Sequence, residues 1–251
     1  MAWWRDYFDE EYVRLWAATL TPERTEREVR GIMDLLKLPP GSRVLDLGCG
    51  YGRILIPIAQ RSAWHVTGLD IRFASLQQAQ RAWTVNRSGG AVTLVQGDMR
   101  AQPFQETFDA VLSIFSSFGY FDTEEDDRAV LQEAARVIRP GGMLLLDTLH
   151  RDYVIRQYRE RDWWDLAGTH ILEQRAWDTQ SGRMHLWLRW YEPTGRQGEK
   201  SAYIRIYTVT ELVRLLQEVG FLTRGVYGDF TGQPVTVDSP HVVLVASKAD
   251  R

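Results

Sequence analysis

Val44-Leu45-Asp46-Leu47-Gly48-Cys49-Gly50-Tyr51-Gly52-Arg53 is the stretch that decides how this chain folds. Val44 to Leu47 is a short apolar run with the length of a buried strand. Three alternate glycines follow and make a tight turn in which a ligand can approach bare backbone. Residues 53–60 then read as a helix whose first N–H groups face that turn. The next apolar run, His65 to Leu69, delivers Asp70 to its carboxyl end. A carboxylate placed there can accept hydrogen bonds from both hydroxyls of a ribose. Strand, glycine turn, helix, strand and acid together form a nucleoside-binding βαβ unit.

The spacing also selects among nucleosides. A dinucleotide fingerprint runs Gly-x-Gly-x-x-Gly/Ala, its last small residue letting helix and strand pack closely. Here the glycines run Gly48-x-Gly50-x-Gly52, and the sixth position is Arg53, too large for that role. Asp46 opens the turn with a negative charge that repels a pyrophosphate and suits an ammonium. S-adenosylmethionine carries an ammonium, a sulfonium and a ribose, and no phosphate. Cys49, inside the turn, is a small apolar residue that fits beneath such a ligand.

Motif by motif, residues 40–150 resemble the class I S-adenosylmethionine-dependent methyltransferases, of the bacterial small-molecule type. Val44 to Arg53 is similar to their first motif and Gly68-Leu69-Asp70-Ile71 to their second. Val95-Gln96-Gly97-Asp98-Met99 resembles the third, whose acid bonds the adenine amino group. Phe108 to Ile114 resembles the fourth strand, which passes the methionine moiety, and Arg136 to Leu146 the helix end, turn and fifth strand. The resemblance implies a cofactor site built from Asp46, Gly48, Cys49, Gly50, Arg53, Asp70, Ile71, Asp98, Met99 and Ser113. It implies S-adenosylhomocysteine as the product. A looser likeness extends through the segments 3–29 and 207–229.

Working outward, apolar runs at 43–47, 65–69, 92–95, 109–114 and 143–147 alternate with helical patterns, which predicts parallel βαβ units. Residues 6–20 and 22–37 read as helices, with Thr21-Pro22 as N-cap and first-turn proline. After Asp147 the pattern turns antiparallel: strands are predicted at 169–178, 183–192 and 199–207, joined by short turns. Residues 208–220 return to a helical period, and 221–228 with 241–247 read as a final strand pair. The predicted architecture is a doubly wound, mostly parallel seven-stranded α/β sheet with a small three-stranded cap. Its parts are a helical leader or lid at 1–40, a nucleoside-binding core at 41–150, the cap insertion at 151–207, and the last core elements at 208–251.

A chain of 251 residues can bury a sizeable core as one such unit. A formal charge of -3 argues against a general nucleic-acid binder. The single cysteine suits a reducing compartment. The start of the chain lacks the apolar stretch of a secretory leader, and no run is long enough to span a membrane, so a cytoplasmic protein is expected. The five scattered histidines carry no metal-ligand spacing, and no metal is expected.

Methyl transfer from a sulfonium needs an in-line nucleophile and little else, so orientation can supply most of the catalysis. His150 and Tyr153, after the fifth strand, are the candidate bases; a base is needed only where the nucleophile starts protonated. Tryptophan is concentrated outside 41–147. One reading is an aromatic wall over the substrate, with Tyr7, Tyr12 and Trp16 from the leader, Tyr120 from the core, and Arg205 and Tyr207 from the cap. The other is a buried sheet face or a subunit contact. Alternation puts Met184, Leu186, Leu188 and Trp190 on one cap face and His185, Trp187, Arg189 and Tyr191 on the other. The acceptor expected is a small molecule methylated on nitrogen, oxygen or carbon, the chain acting as monomer or homodimer. The rival readings are a nucleic-acid or protein methyltransferase and a non-catalytic regulatory binder of the cofactor.

Overall fold

The computed structural model describes residues 3–85, 87–105 and 107–249. Five strands run parallel: β1 (Arg43–Leu47), β2 (His65–Asp70), β3 (Ala91–Gln96), β4 (Phe108–Ser113) and β5 (Ile138–Leu149). Two more complete the sheet, β10 (Phe221–Tyr227) and β11 (His241–Lys248), in the order β10-β11-β5-β4-β1-β2-β3. Only β11 is reversed relative to the rest. The chain winds outward from β1 to β3, then returns to β4 beside β1. That reversal opens a crevice at the carboxyl ends of β1 and β4, where ligands of such sheets bind.

Strand alternation divides the core in two. Leu45, Leu47, Val111, Leu144 and Leu146 face α6 (Glu124–Val137) and α8 (Val209–Glu218). Val44, Val66, Ala110, Leu112 and Leu145 face α3 (Pro22–Leu36), α4 (Leu55–Arg61) and α5 (Phe73–Val85). Thr21 caps α3 through its hydroxyl, and Pro22 opens the helix. Thr208 and Glu211 form a reciprocal capping box on α8, which fixes where the chain re-enters the core after the cap.

Three details depart from the sequence reading. The leader is not one helix over 6–20 but two, α1 (Trp4–Tyr7) and α2 (Glu10–Trp16), because Asp9 leaves the helix and accepts the Tyr12 N–H as an N-cap. A six-residue helix, α7 (Arg151–Arg156), follows β5. The cap has four strands, β6 (Arg161–Leu166), β7 (Thr169–Asp178), β8 (Arg183–Tyr191) and β9 (Gln197–Arg205), all antiparallel in sequence order. Its inner face holds Ile171, Leu188 and Trp190, packed against Leu15 of α2. Two ion pairs add to that contact, Lys200–Asp9 at 2.8 Å and Arg14–Glu192 at 2.5 Å. The leader is therefore joined to the cap as well as laid over the core. No helix among the described residues is long and apolar enough to cross a membrane.

Candidate active site

The crevice between β1 and β4 is a cavity whose floor is the glycine turn and whose far wall is aromatic. Gly48, Gly50 and Gly52 all have positive φ, of 72°, 54° and 83°. A Cβ on Gly48 would stand 2.9 Å from the Ser117 hydroxyl, whereas one on Gly50 would meet nothing within 4 Å. The turn thus presses against β4's exit at Gly48 and leaves open space at Gly50.

Asp70 holds this turn from the end of β2. One carboxylate oxygen accepts the Gly50 N–H at 2.8 Å and the other the Arg72 N–H at 2.8 Å. Each oxygen keeps a lone pair for another donor. Asp46 is different. It is 2% exposed, and its Oδ1 has no partner among the described residues. Burial, then the nearby Asp70 charge, pushes its carboxyl up to about 7 against the opposing pull of Arg53. A buried acceptor left unpaired costs about 1–3 kcal/mol, more when charged, and an incoming ammonium would relieve it. That open carboxylate and the empty space over Gly50 fit the amino-acid end of S-adenosylmethionine.

At the other end of the cavity Asp98 is already engaged. Arg100 donates from its Nε at 3.1 Å and its Nη2 at 2.7 Å, and also bonds Asp126. Burial works against the Asp98 charge, but these bonds outweigh it and lower its pKa. Oδ2 retains one lone pair for an adenine amino group. The Arg100 guanidinium lies over Phe121 at 4.4 Å and Trp4 at 5.5 Å, so the acid is clamped between a salt bridge and two rings.

Of the sequence-derived cofactor residues, nine line the cavity: Asp46, Gly48, Cys49, Gly50, Arg53, Asp70, Ile71, Asp98 and Met99. Ser113 does not. It is buried at the end of β4, its hydroxyl without a partner among the described residues, and Ser117 reaches the cavity instead. The candidate bases are elsewhere. The His150 Nδ1 contacts the Ser239 carbonyl oxygen at 2.9 Å in a buried setting, and Tyr153 lines a separate hollow under the cap.

Among the candidate substrate residues, only Tyr120 lines the cavity. Tyr7 and Tyr12 meet Phe8 edge-on, with ring centroids 5.1 Å away, and Trp16 follows Tyr12 at 6.3 Å. The break at Asp9 turns another stripe inward, so the leader presents Trp4, Phe8, Val13 and Leu20. Phe8 meets Tyr120 edge-on at 4.9 Å. Arg205 is spent structurally: it donates to the Gly182 and Ile206 carbonyls and to Glu211 at 2.7 Å. The Tyr207 hydroxyl donates to buried Asp127 at 2.7 Å. β9 ends at Arg205 and the chain then enters the core, which draws both side chains inward.

A pair that sequence inspection missed supports the cavity's third side. Asp147 is 2% exposed at the end of β5. One of its oxygens meets His241 Nδ1 at 2.8 Å and the other accepts the Phe115 N–H at 2.7 Å, while its carbonyl accepts the Ser116 N–H. Phe115 and Ser116 both lie in the left-handed region, at φ 55° and 56°, which is costly for non-glycine residues. Asp147 holds that strained loop in place, with the Phe115 ring against the cavity beneath Arg53. Burial opposes a charge on His241, but Asp147 outweighs it and raises the imidazole pKa. Ninety-four positions separate the two residues, and only antiparallel pairing of β11 with β5 joins them. Among the described residues no cluster of three or more His, Cys, Asp or Glu could hold a metal ion.

Comparison with known proteins agrees with this geometry. A family profile described as a methyltransferase domain matches residues 44–142. YqeM of Bacillus subtilis (strain 168), provisionally named a methyltransferase, is 27% identical over 231 residues, covering 84% of this chain and 86% of that protein. A glycine/sarcosine N-methyltransferase of Aphanothece halophytica is 26% identical over 258 residues, covering 98% and 92%. Shorter matches are named O-, C- or N-terminal methyltransferases, and the chain spans 31% to 56% of their length. Among solved structures, S-adenosylmethionine-bound CalS10 of Micromonospora echinaspora, an amino pentose methyltransferase, superposes with a TM-score of 0.73. It covers 96% of this chain and 98% of its own at 23% identity, a likeness of fold. With the glycine turn, the two acids ending β1 and β2, and this fold, residues 44–142 are a methyltransferase domain of the class I S-adenosylmethionine-dependent kind.

Proposed function

We propose that this methyltransferase acts on nitrogen, oxygen or carbon of a small molecule, held between the glycine turn and the leader's aromatic wall. One observation carries the reading. The acceptor side of the cavity is closed by Phe8, Val13 and Leu20 from the leader together with Tyr120, a concave apolar surface rather than an open basic groove. Nucleic-acid substrates are held mainly by rows of cations on phosphates, and the cavity is lined by just two arginines among the described residues, Arg53, paired with Glu28, and Arg72, which donates to the Arg5 carbonyl. The named activity of the Aphanothece relative, on small amines, supports the same reading.

The roles follow from the donor set. Asp46 takes the cofactor ammonium, Asp70 the ribose hydroxyls, and Asp98 with Met99 the adenine. Bound S-adenosylmethionine supplies an electrophilic methyl group activated by its sulfonium. The aromatic faces of Tyr120, Phe8 and Phe115 exclude water and favour cationic charge near that end of the cavity. The candidate bases His150 and Tyr153 lie outside the cavity, and an acceptor that arrives unprotonated needs no base. The leader serves as the lid of this site and is tied to the cap through Asp9 and Arg14.

The test is calorimetric titration with S-adenosylmethionine and its demethylated product, followed by incubation with methyl-labelled cofactor and a cell extract separated by size and class. Label recovered in the small-molecule fraction is the expected result. Label recovered in protein or nucleic acid overturns the acceptor class while leaving the enzyme class intact.

A further inference from the structure

The outer face of the cap carries four of the chain's large exposed apolar side chains. Trp163 is 74% exposed, Leu172 46%, Tyr191 42% and Trp187 38%. They come from three adjacent strands, because β6, β7 and β8 turn alternate residues away from α2. Strand register makes them one patch: Trp163 lies opposite Leu172, and Gln174 beside it lies opposite Trp187. His185 stacks on Trp187 at 3.7 Å and meets Tyr203 at 5.6 Å, which extends the patch to β9. The hollow over this patch is shallow and broad, lined by Trp163, Leu172 and Trp187. Apolar surface of this extent on a single sheet face marks a contact site.

We propose that this face pairs with the same face of a second copy of the chain, giving a two-fold dimer of stacked cap sheets. The charges select that occupant. Arg161 and Arg189 are offset on the same face by Asp165 and Glu199, and Arg189 already meets Glu199 at 3.0 Å. A face with both signs and no excess suits neither phosphate backbones nor an anionic lipid surface.

The pattern is also self-complementary. The row Trp163, Leu172, Arg189, Glu199 runs across the sheet beside the row Arg161, Gln174, Trp187, Ser201. A two-fold axis lying across the strands between these rows sets each row on the partner's other row. Trp187 then covers the partner's Arg189 and Trp163 the partner's Arg161, with no like charges opposed. Four strands about 4.8 Å apart and roughly 30 Å long present on the order of 600 Å² in projection. Side-chain relief brings that near the ~800 Å² of accessible surface that each partner of a stable dimer buries.

The experiment is sedimentation equilibrium of the full chain between about 1 and 100 µM, a range that brackets ordinary homodimer affinities. The wild type is expected at twice the 29.0 kDa chain mass. Leu172→Glu with Trp187→Glu should weaken association at least hundredfold and leave cofactor affinity unchanged. Leu222→Glu, at an equally exposed leucine on β10, should leave the dimer intact. Hydroxyl-radical footprinting of the wild type needs no folded variant: Trp163 oxidation should fall as the protein is concentrated. A wild type that is monomeric at 100 µM overturns the proposal, as does a dimer that survives the double substitution. Shielding of Trp163 only by added RNA or vesicles overturns it as well.

Discussion

Replacing Asp46 by asparagine should weaken cofactor binding and, in the same molecule, stabilise the cofactor-free fold. Both effects come from one carboxylate. Its pKa stands at about 7 in the folded chain, against 3.8 as the ordinary value, chiefly because burial penalises the charge. The unfolded chain releases this proton near pH 4 and the folded chain holds it to about pH 7. Between those limits the folded state carries the extra proton, so this residue's contribution to stability falls as pH rises. At 1.36 kcal/mol per unit, a span of about three units leaves the ionised form destabilising by on the order of 4 kcal/mol at pH 8. Asparagine cannot ionise and should recover much of that. Cofactor affinity runs the opposite way, because the ammonium requires the ionised form: below pH 7 the wild type should lose about tenfold per unit. In Asp46→Asn affinity should be lower at pH 8 and flat with pH. Urea titrations of both proteins from pH 5 to 9, paired with calorimetry of the cofactor, separate the two effects. Parallel stability profiles, or an equally pH-dependent affinity in the variant, would refute the assignment of that orphaned oxygen.

Three further outcomes are expected. Asp70→Ala should cost tenfold to several hundredfold in cofactor affinity, at about 1.5–3 kcal/mol per charged hydrogen bond. It should also lower the melting temperature of the free protein, since the Gly50 and Arg72 N–H groups lose their acceptor; a normal cofactor affinity in calorimetry would reject the ribose role. His241→Ala should destabilise by about 1.5–3 kcal/mol at pH 6. Because its folded pKa is raised, the wild type's gain is complete below the unfolded value and is lost as pH rises through the folded one, so the deficit should shrink at pH 9. A deficit that grows with pH in chemical denaturation would contradict the charged pair. Arg205→Ala should cost about 2–4 kcal/mol, below the full value of a buried pair because Glu211 is partly exposed. The acceptor KM should not change in steady-state kinetics, and a selective rise in it would return Arg205 to the binding site.

The donor half of the site was legible because local sequence builds it. Asp46, the glycines and Asp70 belong to one βαβ unit of fewer than thirty residues, and the tight turn demands glycine where φ is positive. The acceptor half was not. Which leader residues face the cavity depends on the break at Asp9, and a single N-cap shifts the inward stripe from Tyr12 and Trp16 to Val13 and Leu20. The strand β6 escaped notice because Arg161-Asp162-Trp163-Trp164-Asp165-Leu166 sets two tryptophans side by side on opposite faces and lies at an edge. Arg205 and Tyr207 share parity with the cap's outer residues, yet the chain turns into the core beside them. Asp147 and His241 meet only through tertiary pairing, which no local period encodes.

Unequal freedom to change follows from how the two halves of the cavity are made. The donor is met by a glycine turn whose shape is set by backbone conformation and by acids anchored to main-chain N–H groups, so few single substitutions leave it working. The opposite wall consists mainly of side chains on the leader, around its two short helices, held to the cap by ion pairs at its margins. Such a wall can be respecified one residue at a time without disturbing the chemistry across from it. Drift in sequence should therefore alter what is methylated long before it alters what supplies the methyl group. Relatives named for oxygen, carbon and nitrogen methyl transfer are the record such a division would leave.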